Sequence, residues 1–131
     1  MIDVRSHRPF IEKLLARYGV PPDHLLVVDD VFTWCKENGV AEDWPFRAAK
    51  CFYSASECRI VLNAFQSDEQ IVGALDHMRQ AGFTQVSTLS TDEQYLAHLV
   101  LHEVSAFVLQ HSDQARRDTW AFEELATLNA A

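Results

Sequence analysis

The stretch TDEQYLAHLVLHEVSAFVLQH, residues 91–111, decides the fold. Ser90-Thr91-Asp92-Glu93 has the S-x-x-E form of a capping box, in which a hydroxyl and a carboxylate satisfy two backbone donors at the start of a helix. Beyond it, apolar side chains cover most of the helical circumference instead of a single stripe. A helix of that kind must be enclosed by other elements, so residues 95–111 are predicted to form the centre of the molecule.

Working outward, Ser112 or Asp113 can cap a last helix that runs to about Leu128, with Asp113 and Asp118 towards its N-terminal half. On the other side, FTQVSTLS at 83–90 reads as a short strand or an extended loop. Ser67-Asp68-Glu69-Gln70 is a further capping box, launching a helix to about Ala81 that stops at Gly82. Before it, Trp44-Pro45 breaks helix, and Ala49 to Tyr53 and Arg59 to Asn63 flank the turn-like Ser54-Ala55-Ser56-Glu57, predicting a β-hairpin. Phe10, Ile11, Leu14, Leu15 and Tyr18 recur at helical spacing and end at Gly19. Pro21-Pro22-Asp23 opens a second helix, with Asp23 as its N-cap, an apolar stripe of Leu26, Val27, Val31, Trp34 and Cys35, and a stop at Asn38-Gly39. These two are predicted to pack as a helical hairpin. No repeat, low-complexity segment or linker divides the chain. The expectation is one α+β domain over 1–131, mainly helical, with a small β-hairpin or sheet against the central helix.

Composition narrows the function classes. With 131 residues and 48% hydrophobic content the chain can bury a core without disulfide staples. A formal charge of −8 argues against a phosphate-binding surface, because non-specific nucleic-acid affinity rests on Lys and Arg displacing counterions. Three cysteines, an odd count, and an N-terminus without an apolar stretch point to a reduced, cytoplasmic setting. No run approaches the roughly 20 apolar residues of a membrane span.

Chemistry concentrates on the central helix. His98 and His102 are four apart and share one face, the spacing that lets two imidazoles bind one zinc. Glu103 follows His102, and in a His-Glu-x-x-His helix the residue after the first histidine is the glutamate that takes a proton from metal-bound water. Two registers can be laid on this helix. From His98, both ligands are present but Leu99 stands where the glutamate belongs, and Glu103 falls in an apolar position. From His102, ligand and glutamate are present but Ala106 stands where the second ligand belongs, while Leu99, Val100, Phe107 and Val108 flank the motif suitably. Elsewhere the simpler readings prevail. Cys51 and Cys58 read as small buried hydrophobes and Trp34, Trp44 and Trp120 as packing anchors. Asp29-Asp30 read as a solvated helix face, and Arg116-Arg117 as partners of Asp113 and Asp118.

The chain resembles the ImmA/IrrE-type zinc metallopeptidases, small zincins often associated with phage and stress regulators. LLARYGVPP and CRIVLNAF look like the helical opening of that family and the strand before its active helix, TDEQYLAHLVLHEVSAFVLQH looks like the active helix itself, and RRDTWAFEEL is similar to the segment that follows. The resemblance implies zinc as cofactor, His102 as a metal ligand, Asp118 ahead of Trp120-Ala121 as the acidic ligand and Glu103 as the catalytic base, with His98, one turn before, standing in as metal ligand for the one lost at Ala106. Because neither register is complete, the expected function is that of a zincin-derived domain that has lost peptidase activity and binds another protein, in a regulatory or phage and host-defence role. The alternative is an active or variant zinc hydrolase acting on a peptide substrate through His98, His102 and Glu103. Neither a nucleic-acid partner nor a membrane is expected.

Overall fold

Leu25–Val28 is a strand, and it replaces the first half of the predicted second helix. In the computed structural model, which describes residues 1–130, the chain runs β1 (Ile2–Asp3), α1 (Arg8–Ala16), β2 (Leu25–Val28), α2 (Val31–Glu37), β3 (Ala49–Tyr53), β4 (Cys58–Asn63), β5 (Phe65–Gln66), α3 (Asp68–Gln80), α4 (Asp92–Val108) and α5 (Gln114–Ala130). Pro22–His24 is a single 3-10 turn, and the N-cap belongs to Asp30, whose Oδ2 accepts the backbone N–H of Thr33 at 3.0 Å. Asp30 therefore starts α2 instead of lying on a solvated helix face. The predicted helical hairpin does not form, because β2 leaves α1 and pairs with β4.

The sheet that positions the site has three strands in the order β2-β4-β3. β2 runs parallel to β4 with Leu25 opposite Ile60, and β3 is antiparallel to β4 with Cys51 opposite Ile60, the hairpin the sequence predicts. Alternation along β4 separates two layers. Cys58, Ile60 and Leu62 enter the main core with Leu96, Val100, Leu101 and Val104 of α4, whereas Val61 joins Val31 and Cys35 on the α2 side. Side chains of an extended chain point alternately to opposite faces, which is why one strand serves both layers. The small β1-β5 ladder sits apart from this sheet. Buried Asn63 fastens β4 to its surroundings, accepting the Val31 N–H at 2.7 Å and donating to the Arg47 carbonyl at 3.2 Å.

Both capped helices form. Ser67 and Gln70 make the full capping box of α3. In α4 the cap lies one residue later than the sequence motif, with Thr91 Oγ1 accepting the Gln94 N–H at 3.2 Å while Gln94 Oε1 accepts that of Ser90 at 3.3 Å. Residues Thr84–Thr88 form a 3-10 turn, neither strand nor extended loop. α4 is central as expected, packed by α1, α5 and β3. Its C-terminal turn includes His111 in the left-handed region, φ 68°, which turns the chain back so that α5 lies along α4. Asp113 Oδ1 then accepts the Arg116 N–H at 2.9 Å, the cap expected for the last helix. No helix is long and apolar enough to cross a membrane among the described residues.

Candidate metal centre and cleft

The return of α5 along α4 brings Asp118 to the face that carries His98 and His102. Asp118 Oδ1 stands 2.8 Å from His102 Nδ1 and 3.7 Å from His98 Nε2, with side chains 10%, 13% and 6% exposed respectively. Despite the short separation, neither ring nitrogen has a hydrogen-bond partner among the described residues, and both are fully shielded from solvent. The two rings stack with centroids 6.3 Å apart and planes 26° from parallel, and Phe122 covers His98 at 4.3 Å. Burial is the main influence on His98, lowering its pKa from 6.5 to about 4; Asp118 works against this and His102 with it. The imidazole is thus neutral, the form that offers a lone pair to a cation.

Backbone and hydroxyl contacts fix this arrangement. Arg117, which the sequence reading pairs with Asp113 or Asp118, instead reaches across to α4, donating from Nε to Ser105 Oγ and from Nη2 to the His102 carbonyl, each at 3.0 Å. Ser105 Oγ donates to the same carbonyl. Since Arg117 directly precedes Asp118, these bonds set where the carboxylate meets the histidines.

Two histidines and one aspartate are a donor set that zinc takes. Three such ligands at zinc bond lengths near 2.0–2.2 Å stand roughly 3.3 Å from one another. The two separations from Asp118 bracket that value. Among the described residues, no group of three or more His, Cys, Asp or Glu side chains is already gathered as a metal-holding set, so the three donors do not share one centre in this arrangement.

Glu103 lies elsewhere on the helix. One residue beyond His102, it is rotated by about 100° and faces a cleft of about 930 Å³ between α4, α3 and the start of β3, where Leu99, His102, Gln70, His77 and Ala49 also lie. It is 7% exposed, and among the described residues no hydrogen bond holds its charge. Desolvation raises its pKa above 4.5, and the opposing pull of His102 and Arg117 does not overcome it. Apolar neighbours at 99, 100 and 107, one turn away, carried this signal in the sequence. Ala106 is half-buried and supplies no donor, so the histidines come together in the register of His98 and His102, which leaves Leu99 at the glutamate position.

The cleft rim was not legible as such. Trp44 and Phe46, 57% and 66% exposed, pack edge to face at 5.6 Å beside it, so Trp44 is a surface aromatic, not a core anchor. Trp34 and Trp120 do pack, against Phe52 and Tyr18. Half-buried Glu42, its side chain 4% exposed, braces the rim by accepting from Arg47 Nε at 2.9 Å and Lys50 Nζ at 2.5 Å.

The raised pKa of Glu103 has a consequence for stability. The folded chain keeps this proton to a higher pH than the unfolded chain does, so stability declines as pH rises above 4.5, the unfolded value. Glu103→Gln is expected to stabilise the protein at pH 7, with the gain vanishing below the unfolded pKa. Denaturant titrations at pH 7 and pH 4 check this, and an equal effect at both would contradict it.

Comparisons with protein-family models, curated proteins and solved structures gave no match.

Proposed function

We propose that this chain is a zincin-like domain that holds zinc at His98, His102 and Asp118, has lost peptidase chemistry, and uses the adjoining cleft to bind an extended segment of another protein. The observation that carries this reading is the approach of two buried imidazole nitrogens to one oxygen of the Asp118 carboxylate, with neither nitrogen making a hydrogen bond among the described residues. His98 Nε2, 3.7 Å from the carboxylate, is beyond hydrogen-bond distance; leaving such a buried atom without a partner costs about 1–3 kcal/mol, a cost that a bound cation removes. Zinc would supply a Lewis acid that polarises a bound carbonyl or water. In the register of His98 and His102, Leu99 presents no group able to take a proton, which is why the reading is a binding domain.

The cleft suits a peptide. Exposed aromatic side chains beside a concave surface serve as anchors, and Trp44 and Phe46 occupy that place. The −8 charge favours a partner rich in Lys and Arg, whose encounter it would steer. The setting that fits is the reduced cytoplasm.

Elemental analysis of protein purified without added metal should find zinc near one per chain, and an unfolded protein substrate should remain uncleaved. Leu99→Glu completes the His-Glu-x-x-His pattern in this register and is expected to raise cleavage at least ~100-fold, the lower range for a general base. Absence of zinc binding overturns the metal reading. The position of Glu103 in the cleft favours a second reading, a variant hydrolase with Glu103 as the proton-transferring group. Cleavage by the unmodified protein that disappears in Glu103→Gln would establish it in place of the first.

A further inference from the structure

Cys51 and Cys58 take no part in the centre described above. Cys51 stands opposite Ile60 and Cys58 opposite Tyr53, so the two cysteines are diagonal neighbours on one face of the β3-β4 hairpin. Their sulfurs are 3.6 Å apart. Cys58 is buried and Cys51 half-buried, so a reagent reaches the pair through Cys51. Between them lies the exposed turn 54–57, closed by a backbone bond from Ser54 N to the Glu57 carbonyl at 2.9 Å and by Ser54 Oγ, which accepts the N–H of Glu57 at 3.2 Å and of Ser56 at 3.4 Å. The remaining thiol, Cys35, lies in the separate cluster on the α2 side of the sheet.

We propose that Cys51 and Cys58 are a modification site, forming a reversible intrachain disulfide by exchange with a small-molecule disulfide of the glutathione class. Side chains this close on adjacent strands need only a small shift to bond, and partial exposure is the property of labile, regulatory disulfides as opposed to structural ones. In the first step the more exposed thiol, Cys51, gives up its proton as its sulfur attacks one sulfur of the oxidant, the oxidant's S–S bond breaks, and one small thiol leaves with that proton. In the second, Cys58 attacks Cys51 Sγ in the mixed disulfide and the second small thiol leaves. Two protein thiols are oxidised to one disulfide, and the oxidant is reduced to two thiols. The bond ties β3 to β4 where Tyr53 packs on Phe107 of α4, 6.5 Å between ring centroids, and so fixes the strand whose beginning lines the cleft.

The test is to incubate the full chain with oxidised glutathione, quench in acid, and alkylate under denaturing conditions before peptide mass spectrometry. Two of the three thiols are expected to become protected, in a linked peptide joining Cys51 to Cys58, and dithiothreitol should restore all three. Cys35→Ser should leave the link intact, while Cys51→Ser or Cys58→Ser should each abolish it. Three alkylated thiols after oxidation, glutathione retained on Cys51, or a link involving Cys35 would overturn the proposal.

Discussion

Asp118→Ala is expected to lower zinc affinity at least roughly 100-fold, the upper end of what losing a mere supporting partner of a ligand costs. The carboxylate is the one group that both imidazole nitrogens approach, at 2.8 and 3.7 Å. Without it the histidines retain no common anionic partner, and two neutral donors hold a dication poorly. His98→Ala and His102→Ala should each produce a loss of the same order. His77→Ala is the control, since His77 faces the same cleft from α3 but stands outside the cluster. Competition titration against a chromogenic chelator measures all four variants. Thermal unfolding gives an independent readout, because a ligand at 100 times its dissociation constant stabilises the folded state by about 2.7 kcal/mol, and that increment should disappear with the affinity. If His77→Ala weakens binding as much as Asp118→Ala does, the metal lies in the cleft and the assignment of the buried cluster is wrong.

The parts of this molecule legible in its sequence are those where one physical requirement acts alone. α4 follows from apolar residues around a whole helix, and the β3-β4 hairpin from two β-prone runs about a polar turn. β2 was misread because Leu25-Leu26-Val27-Val28 lacks alternation, and a short apolar run fits a buried parallel strand and a helix equally well. What distinguished them was Asp30: its side chain starts a helix at Val31, so the residues before it had to be something else. At the site, i,i+4 spacing placed His98 and His102 together, and the turn at His111 with the bonds of Arg117 to α4 brought Asp118 to them. Arg117 could not be foreseen in that role, because its local acidic neighbours explain it equally well in one dimension. The cleft was invisible for the same reason: it joins α3, the segment around Trp44 and the far side of α4, which have no common period in the chain.

Acidification should expose the cost of the buried cluster directly. The folded-state pKa of His98 is depressed to about 4 against 6.5 unfolded, chiefly by burial, so between these values the unfolded chain binds a proton that the folded chain does not. Stability is therefore fully present above pH 6.5 and is lost as pH falls towards 4. The full difference amounts to about 3 kcal/mol, at 1.36 kcal/mol per pKa unit, a large share of the 5–15 kcal/mol that typically holds a domain together. Glu103 acts with opposite sign over the acid part of this range, since its protonation favours the folded state, so the wild-type profile shows the difference of the two. Metal-free Glu103→Gln separates them: urea midpoints measured from pH 7 to pH 4 should fall more steeply in this background than in the wild type. Adding His98→Gln, which keeps a neutral polar side chain of similar reach, should flatten the curve across pH 6.5–4. An unchanged slope in the double variant would overturn this assignment and mean that His98 takes up its proton within the fold.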